Sequence, residues 1–162
     1  MAGFAIAPPR PAALAVAGSQ ALFPVGRVFC IGRNDRWRAD EPAPQAMPAW
    51  CMKPATAVVP AAGVIPHPPD TRDFCHEIEL VVAIGQGGRD TEPAAVESQH
   101  IWGDAAGLDV NRSDRQRADL AGPLWPVPGL VAMLSRSVAL LPGVLVVAGI
   151  GELAMTVGPA GP

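Results

Sequence analysis

The sequence predicts a β-rich α+β domain, and three observations carry that expectation. Between residues 76 and 85, Ile78, Leu80, Val82 and Ile84 alternate with Glu77, Glu79, Val81 and Ala83, the period-two pattern of a strand. Nineteen prolines, 17 glycines and no tyrosine argue against a helical bundle and for short strands joined by many turns. A chain of 162 residues with 49% hydrophobic content can bury a core and falls within the usual size of one domain.

Taken in order, residues 1–22 read as an extended Ala/Pro-rich arm without clear periodicity, a surface lead-in that carries no chemistry. Residues 23–162 form the domain. Its first strand spans 23–32 and ends in the turn Gly32-Arg33-Asn34. Residues 70–85 begin as a proline-rich turn and become the apolar strand that carries two carboxylates. Gly85-Gln86-Gly87-Gly88 follows that strand, yet Arg89-Asp90-Thr91-Glu92-Pro93 does not open a helix at once. A hairpin or crossover turn is expected there rather than a phosphate loop. Residues 94–101 suit a short helix leading into Trp102 and a strand bearing Asp109. No internal repeat is visible.

A formal charge of −3 with both signs mixed gives no electrostatic case for nucleic acid or an acidic membrane, leaving small molecules as the expected ligands. The three cysteines, Cys30, Cys51 and Cys75, lack C-x-x-C spacing and sit among apolar residues. They are expected as buried free thiols in a reducing compartment, which points to the cytoplasm. Pro8, Pro9, Arg10 and Pro11 interrupt the N-terminal alanines, so no signal peptide is expected. The apolar run 138–150 contains Pro142 and Gly143 and is too short to span a bilayer, so no membrane segment is expected.

Side chains two apart on a strand share a face, so Glu77 and Glu79 point the same way. Two carboxylates so placed repel unless water or a cation lies between them. The pair therefore either faces solvent, as acidic residues mostly do, or holds a hard metal ion. Asp73, His76 and, 30 residues after Glu79, Asp109 add oxygen and nitrogen donors near apolar, strand-like segments, as an oxygen-rich metal site needs.

Several ordered motifs then resemble one known family: residues 23–34, Met52-Lys53-Pro54-Ala55-Thr56-Ala57-Val58-Val59-Pro60, Ile65-Pro66-His67-Pro68-Pro69-Asp70-Thr71, residues 76–85, Gly107-Leu108-Asp109 and Asp114-Arg115-Gln116. Together they closely resemble the fumarylacetoacetate hydrolase family and cover most of 23–116. The nearest branch is the one that hydrolyses acylpyruvates such as fumarylpyruvate. The resemblance implies a mixed β-roll whose site holds Mg²⁺ or Mn²⁺ through Glu77, Glu79 and Asp109. It also implies that Lys53 and Gln116 contact a small oxoacid substrate, and that the protein is a homodimer. A hard divalent ion suits a 2,4-dioxoacid, because it chelates the oxygens and stabilises the enolate that leaves after C–C cleavage.

The sequence also departs from the family. A lid segment after Gly-Arg-Asn carries, in the family, a His and a Glu that activate the hydrolytic water. Here those positions are Arg38 and Glu41. Arginine stays protonated and offers no lone pair, so Glu41 alone remains as the catalytic base. Ser113 stands where the family carries an arginine, which removes a bidentate grip on a substrate carboxylate. Asp35, His67, Cys75 and Asp104 also differ from the family's residues. Residues 125–136 resemble a late helix of the family, and 141–149 the strand leading to its Thr-Gly-Thr-Pro loop. That loop reads Ala148-Gly149-Ile150-Gly151-Glu152 here, without the threonine hydroxyl. Between Trp125 and Val127 a block of strands and a second substrate lysine is expected to be missing relative to the family, and the chain is expected to end before the family's final strands. Such a deletion exposes sheet edges and apolar faces. The reading is a metal-dependent hydrolase of a C–C bond in acylpyruvates, as in aromatic-compound catabolism. One alternative is a 2-oxoacid decarboxylase or tautomerase, which needs the metal but no activated water. The other is a non-catalytic remnant.

Overall fold

A computed structural model describes residues 4–32, 48–60, 64–67, 72, 74–111, 125–148 and 158–159. The elements are strands β1 (Ala12–Ala15), β2 (Leu22–Val25), β3 (Arg27–Ile31), β4 (Trp50–Pro54) and β5 (Cys75–Ile84), followed by helix α1 (Pro93–Ala95) and strand β6 (Ile101–Asn111). Helix α2 (Val127–Ser137) and strands β7 (Val144–Val147) and β8 (Gly158–Pro159) follow, with short helical turns at Ala55–Ala57 and Val96–His100 among the described residues. The architecture is the expected β-rich α+β one. A hairpin of β1 and β2 stands apart from a six-stranded mixed sheet of order β4-β3-β7-β5-β6-β8.

β7 lies at the centre of the sheet, parallel to β3 on one side and antiparallel to β5 on the other. Its sequence, Val144-Leu145-Val146-Val147, has no polar residue because both of its faces are covered. Val144 and Val146 pack with Phe29, Ile31, Val82 and Ile84 under α2. Helix α2 contributes Leu130, Val131 and Leu134, spaced to form one stripe and wholly buried. On the opposite face Leu145 and Val147 pack with Val28, Val81 and Ala83 beneath Val16, Phe23 and Val25 of the hairpin segment. Each side chain of this size withdrawn from water contributes about 1.5–3 kcal/mol.

The hairpin revises one expectation. The segment 1–22, read as a lead-in, contains β1, paired residue for residue with β2 from Ala12↔Val25 to Ala15↔Leu22, and places Val16 in the core. Alanines give no alternation to read, and the strand forms because β2 presents a partner. The expected strand 23–32 divides at Gly26 into β2 and β3, since Gly26 N–H donates to the Gly143 carbonyl at 2.9 Å instead of continuing the β1–β2 ladder. Gly143 has φ +86°, and a Cβ there would stand 2.7 Å from the Pro24 oxygen, so only glycine fits this junction.

Gly85-Gln86-Gly87-Gly88 is a turn, as expected, tied to the segment between α2 and β7 by the paired Gly88 and Leu140 backbones. A short helical segment follows in α1 and a wider turn, Val96–His100, and delivers the chain into β6. Among the described residues, no helix is long and apolar enough to cross a membrane.

Candidate functional site

β5 alternates as its sequence demands. Leu80, Val82 and Ile84 pack toward α2, while Val81 and Ala83 turn to the hairpin side, so Glu77 and Glu79 lie on that second face. The register carries the face outward. Glu77 is directly opposite Asp109 of β6, and Glu79 is opposite Gly107. At the other side of the sheet Val28 pairs with Lys53 and Cys30 with Cys51, and Val28 and Cys30 belong to the hairpin-side cluster. Glu77, Glu79, Asp109, Lys53, Cys30 and Cys51 therefore share one face, with the hairpin filling part of it.

Lys53 Nζ hydrogen-bonds and ion-pairs with Asp109 Oδ1. This contact reports the shape of the sheet. β4 and β6 are four strand spacings apart in the order, about 19 Å if the sheet were flat, far beyond a lysine's reach. The sheet must curl about this face to bring them together, which is the roll expected from the resemblance. The pair also answers an electrostatic need. Like charges directly opposite on neighbouring strands destabilise a ladder, and the ammonium offsets the juxtaposition of Glu77 and Asp109.

Burial alone would lower the Lys53 pKa, but the hydrogen bond and charge of Asp109, aided by Cys30 and Cys51, raise it above its ordinary 10.5. Burial pushes the Cys30 thiol up from 9.0 to about 12, with Lys53 pulling the other way and Asp109 and Cys51 adding to the rise. Glu79 is buried at 9% exposure, and its Oε2 atom is sealed from solvent. Gly107 opposite it carries no side chain, and a Cβ there would meet Val81 Cγ2 at 2.7 Å.

Of the eight residues singled out from sequence, the structure places Glu77, Glu79, Asp109 and Lys53 on one face. The lysine is partly buried and bonded to Asp109 rather than free at the surface. Glu41, Gln116 and Asp73, with Arg38 and Ser113, lie outside the described residues. His76 falls on the opposite face of β5, exposed and paired with Val110, so it cannot orient the carboxylates. Three hard oxygen-bearing side chains on one face, beside Gly107, fit a divalent ion of the Mg²⁺ or Mn²⁺ type in their chemistry. Among the described residues, no three His, Cys, Asp or Glu side chains are gathered closely enough to hold an ion as they stand. Here Asp109 is taken up by Lys53.

Cys30 and Cys51 were not expected at the site. Cys51 precedes Lys53 by two residues on a strand, a spacing that alone places both on one face. The expectation of buried thiols is also corrected: Cys30 is half-buried and Cys51 exposed, both free, because β4 ends the sheet and has a partner strand on one side only.

This curled mixed sheet, with carboxylates and a lysine on its inner face, belongs to a defined class. The profile of the fumarylacetoacetate (FAA) hydrolase C-terminal domain matches residues 27–120, more than half of the chain, and the chain belongs to that family. It is similar over its whole length to solved structures of fumarylpyruvate hydrolases. One, from Pseudomonas aeruginosa in complex with Mn²⁺ and pyruvate, is 31% identical with a TM-score of 0.79, over 98% of this chain and 91% of that one. A candidate fumarylpyruvate hydrolase from Burkholderia cenocepacia is 34% identical with a TM-score of 0.80, over 99% and 90% of the two chains. Mitochondrial oxaloacetate tautomerase of Arabidopsis thaliana is 34% identical over 67% of this chain and 50% of its own. The chain spans half or less of the length of the curated relatives it matches.

Proposed function

We propose that the protein is a metal-dependent hydrolase that cleaves a C–C bond in acylpyruvates or related 2,4-dioxoacids such as fumarylpyruvate. The observation that carries this reading is that Glu77, Glu79 and Asp109 share the inner face of the roll, with Lys53 bonded to Asp109. Glu77, Glu79 and Asp109 would hold Mg²⁺ or Mn²⁺. When bound, the ion would polarise a substrate carbonyl and favour the enolate form of the departing 2-oxoacid. Lys53, charged at any physiological pH, would attract the substrate's carboxylate and enolate oxygens from the opposite side of the curl. The hairpin packs Val16, Phe23 and Val25 against the same face of the sheet, and the Lys53–Asp109 pair is itself partly buried, which strengthens its field. Glu41 would take the proton of the attacking water, and Gln116 would contact the substrate.

A second reading, a metal-dependent tautomerase of a 2-oxoacid such as oxaloacetate, draws support from Arg38. An arginine there leaves the water-activating pair without its histidine, and keto–enol exchange needs no activated water. The similarity to oxaloacetate tautomerase agrees with it.

Calorimetric titration of the full chain with Mn²⁺ and with Mg²⁺, alone and in the presence of oxalate as an enolate mimic, tests the shared premise. One metal ion per chain is expected, abolished by Glu77→Ala, with oxalate binding only to the loaded protein. Release of two acids from fumarylpyruvate then supports the hydrolase. Decay of enol-oxaloacetate absorbance without acid release supports the tautomerase. Failure to bind metal overturns both and leaves the non-catalytic remnant.

A further inference from the structure

Cys30 and Cys51 are register partners on the antiparallel strands β3 and β4. Directly opposed residues on such strands have Cα atoms about 4.5–5.5 Å apart, inside the roughly 4.4–6.8 Å window that a disulfide spans. Their side chains share the face that holds Lys53. Both are free in the structure, Cys51 exposed and Cys30 half-buried behind it. Two adjacent thiols of unequal access are the arrangement of a peroxide-oxidised dithiol, in which an accessible sulfur reacts first and a shielded one resolves it.

We propose that Cys30 and Cys51 form a dithiol modification site, oxidised by a peroxide to a reversible cross-strand disulfide beside Lys53. Cys51 Sγ, as the thiolate, attacks one peroxide oxygen. The O–O bond breaks, leaving Cys51 as a sulfenic acid, and the departing hydroxide takes up the proton that Cys51 released and becomes water. Cys30 Sγ then attacks the Cys51 sulfur. The S–S bond forms as the S–O bond breaks, and the second oxygen leaves as water with the Cys30 proton. Two thiols lose two electrons in all, and one hydrogen peroxide is reduced to two waters. The bond staples β4, the end strand of the sheet, to β3 and replaces both thiols next to the Lys53–Asp109 pair.

The test uses the full, reduced chain treated with one equivalent of hydrogen peroxide and read by thiol labelling after denaturation, intact mass and peptide mapping. Two of the three thiols are expected to disappear, with a loss of about 2 Da for the two hydrogens removed. The mapped link joins Cys30 to Cys51 within one chain, and dithiothreitol restores both thiols. Cys75→Ser keeps this behaviour and Cys51→Ser abolishes it. A link that involves Cys75, a link between chains, or added oxygen on Cys51 without a crosslink overturns the proposal. The wild-type map decides even where a variant folds poorly, and the result is independent of whether the protein cleaves acylpyruvates.

Discussion

Cys30 and Lys53 tie stability to alkaline pH in the same direction. The Cys30 thiol ionises near 9.0 in the unfolded chain and only at about 12 in the folded one. Between those values the unfolded state has fewer protons bound, so stability falls as pH rises through that window. Lys53, raised above 10.5, contributes stability that is fully present below 10.5 and is lost as pH climbs through its folded value. Urea unfolding under reducing conditions should therefore show stability level from pH 7 to 8.5 and declining above 9.0. Cys30→Ala should remove most of the decline between 9.0 and 10.5 and leave, above 10.5, only the part that Lys53 contributes. An unchanged slope in that variant would refute the assignment. At neutral pH, Lys53→Met leaves Asp109 facing Glu77 without its cation. Lys53 is 33% exposed and Asp109 16%, so water screens part of the loss, and about 1–2 kcal/mol of destabilisation is expected. A variant as stable as the parent would mean that the pair offsets no repulsion.

At the scale of elements, what sequence could reveal depended on whether a segment writes its neighbours into its own pattern. β5 does so: one face is apolar under α2 and the other bears Glu77 and Glu79, so alternation gave both its existence and the shared face. α2 does so through Leu130, Val131 and Leu134. β1 does not, because Ala12-Ala13-Leu14-Ala15 has little to alternate and its strand state comes from pairing with β2. A polar lock between elements was equally invisible. Ser135, wholly buried in α2, donates to the Ala132 carbonyl at 2.7 Å and accepts from the Thr91 N–H at 2.8 Å and the Thr91 hydroxyl at 2.9 Å. It pins the turn before α1 to the helix although 44 residues separate the partners. Ser135→Ala strands the buried Thr91 N–H and should cost about 1–3 kcal/mol in chemical denaturation. Ser135→Cys, which fills the space but hydrogen-bonds weakly, should fall between. If Ser135→Ala unfolds at the parent's denaturant midpoint, the lock is not stabilising.

At the scale of the whole molecule, the curl of the sheet decides which residues meet, and no local pattern encodes it. Lys53 and Asp109 are 56 residues apart and lie on strands separated by three others in the sheet order, so their contact rests on twist accumulated across the sheet. Family resemblance put Lys53 and Asp109 at one site but not in contact, and the facing of Cys30 and Cys51 likewise needed the register of β3 against β4. The curl also leaves an inner face that something must cover, and the hairpin does so with Val16, Phe23 and Val25 over Val28, Ala83 and Leu145. Composition assigned 1–22 to an arm without a role, and the two views make opposite predictions for its removal. A chain beginning at Ala21 loses β1 and Val16 and uncovers the cluster beneath. It should melt at a lower temperature and less cooperatively, and bind an apolar dye that the full chain does not. Val16→Asp in the full chain buries a carboxylate in the same place and should shift the melt in the same direction without shortening the protein. If the shortened chain and the point variant both melt as the parent does, the segment is a lead-in after all, and the inner face holds without its cover.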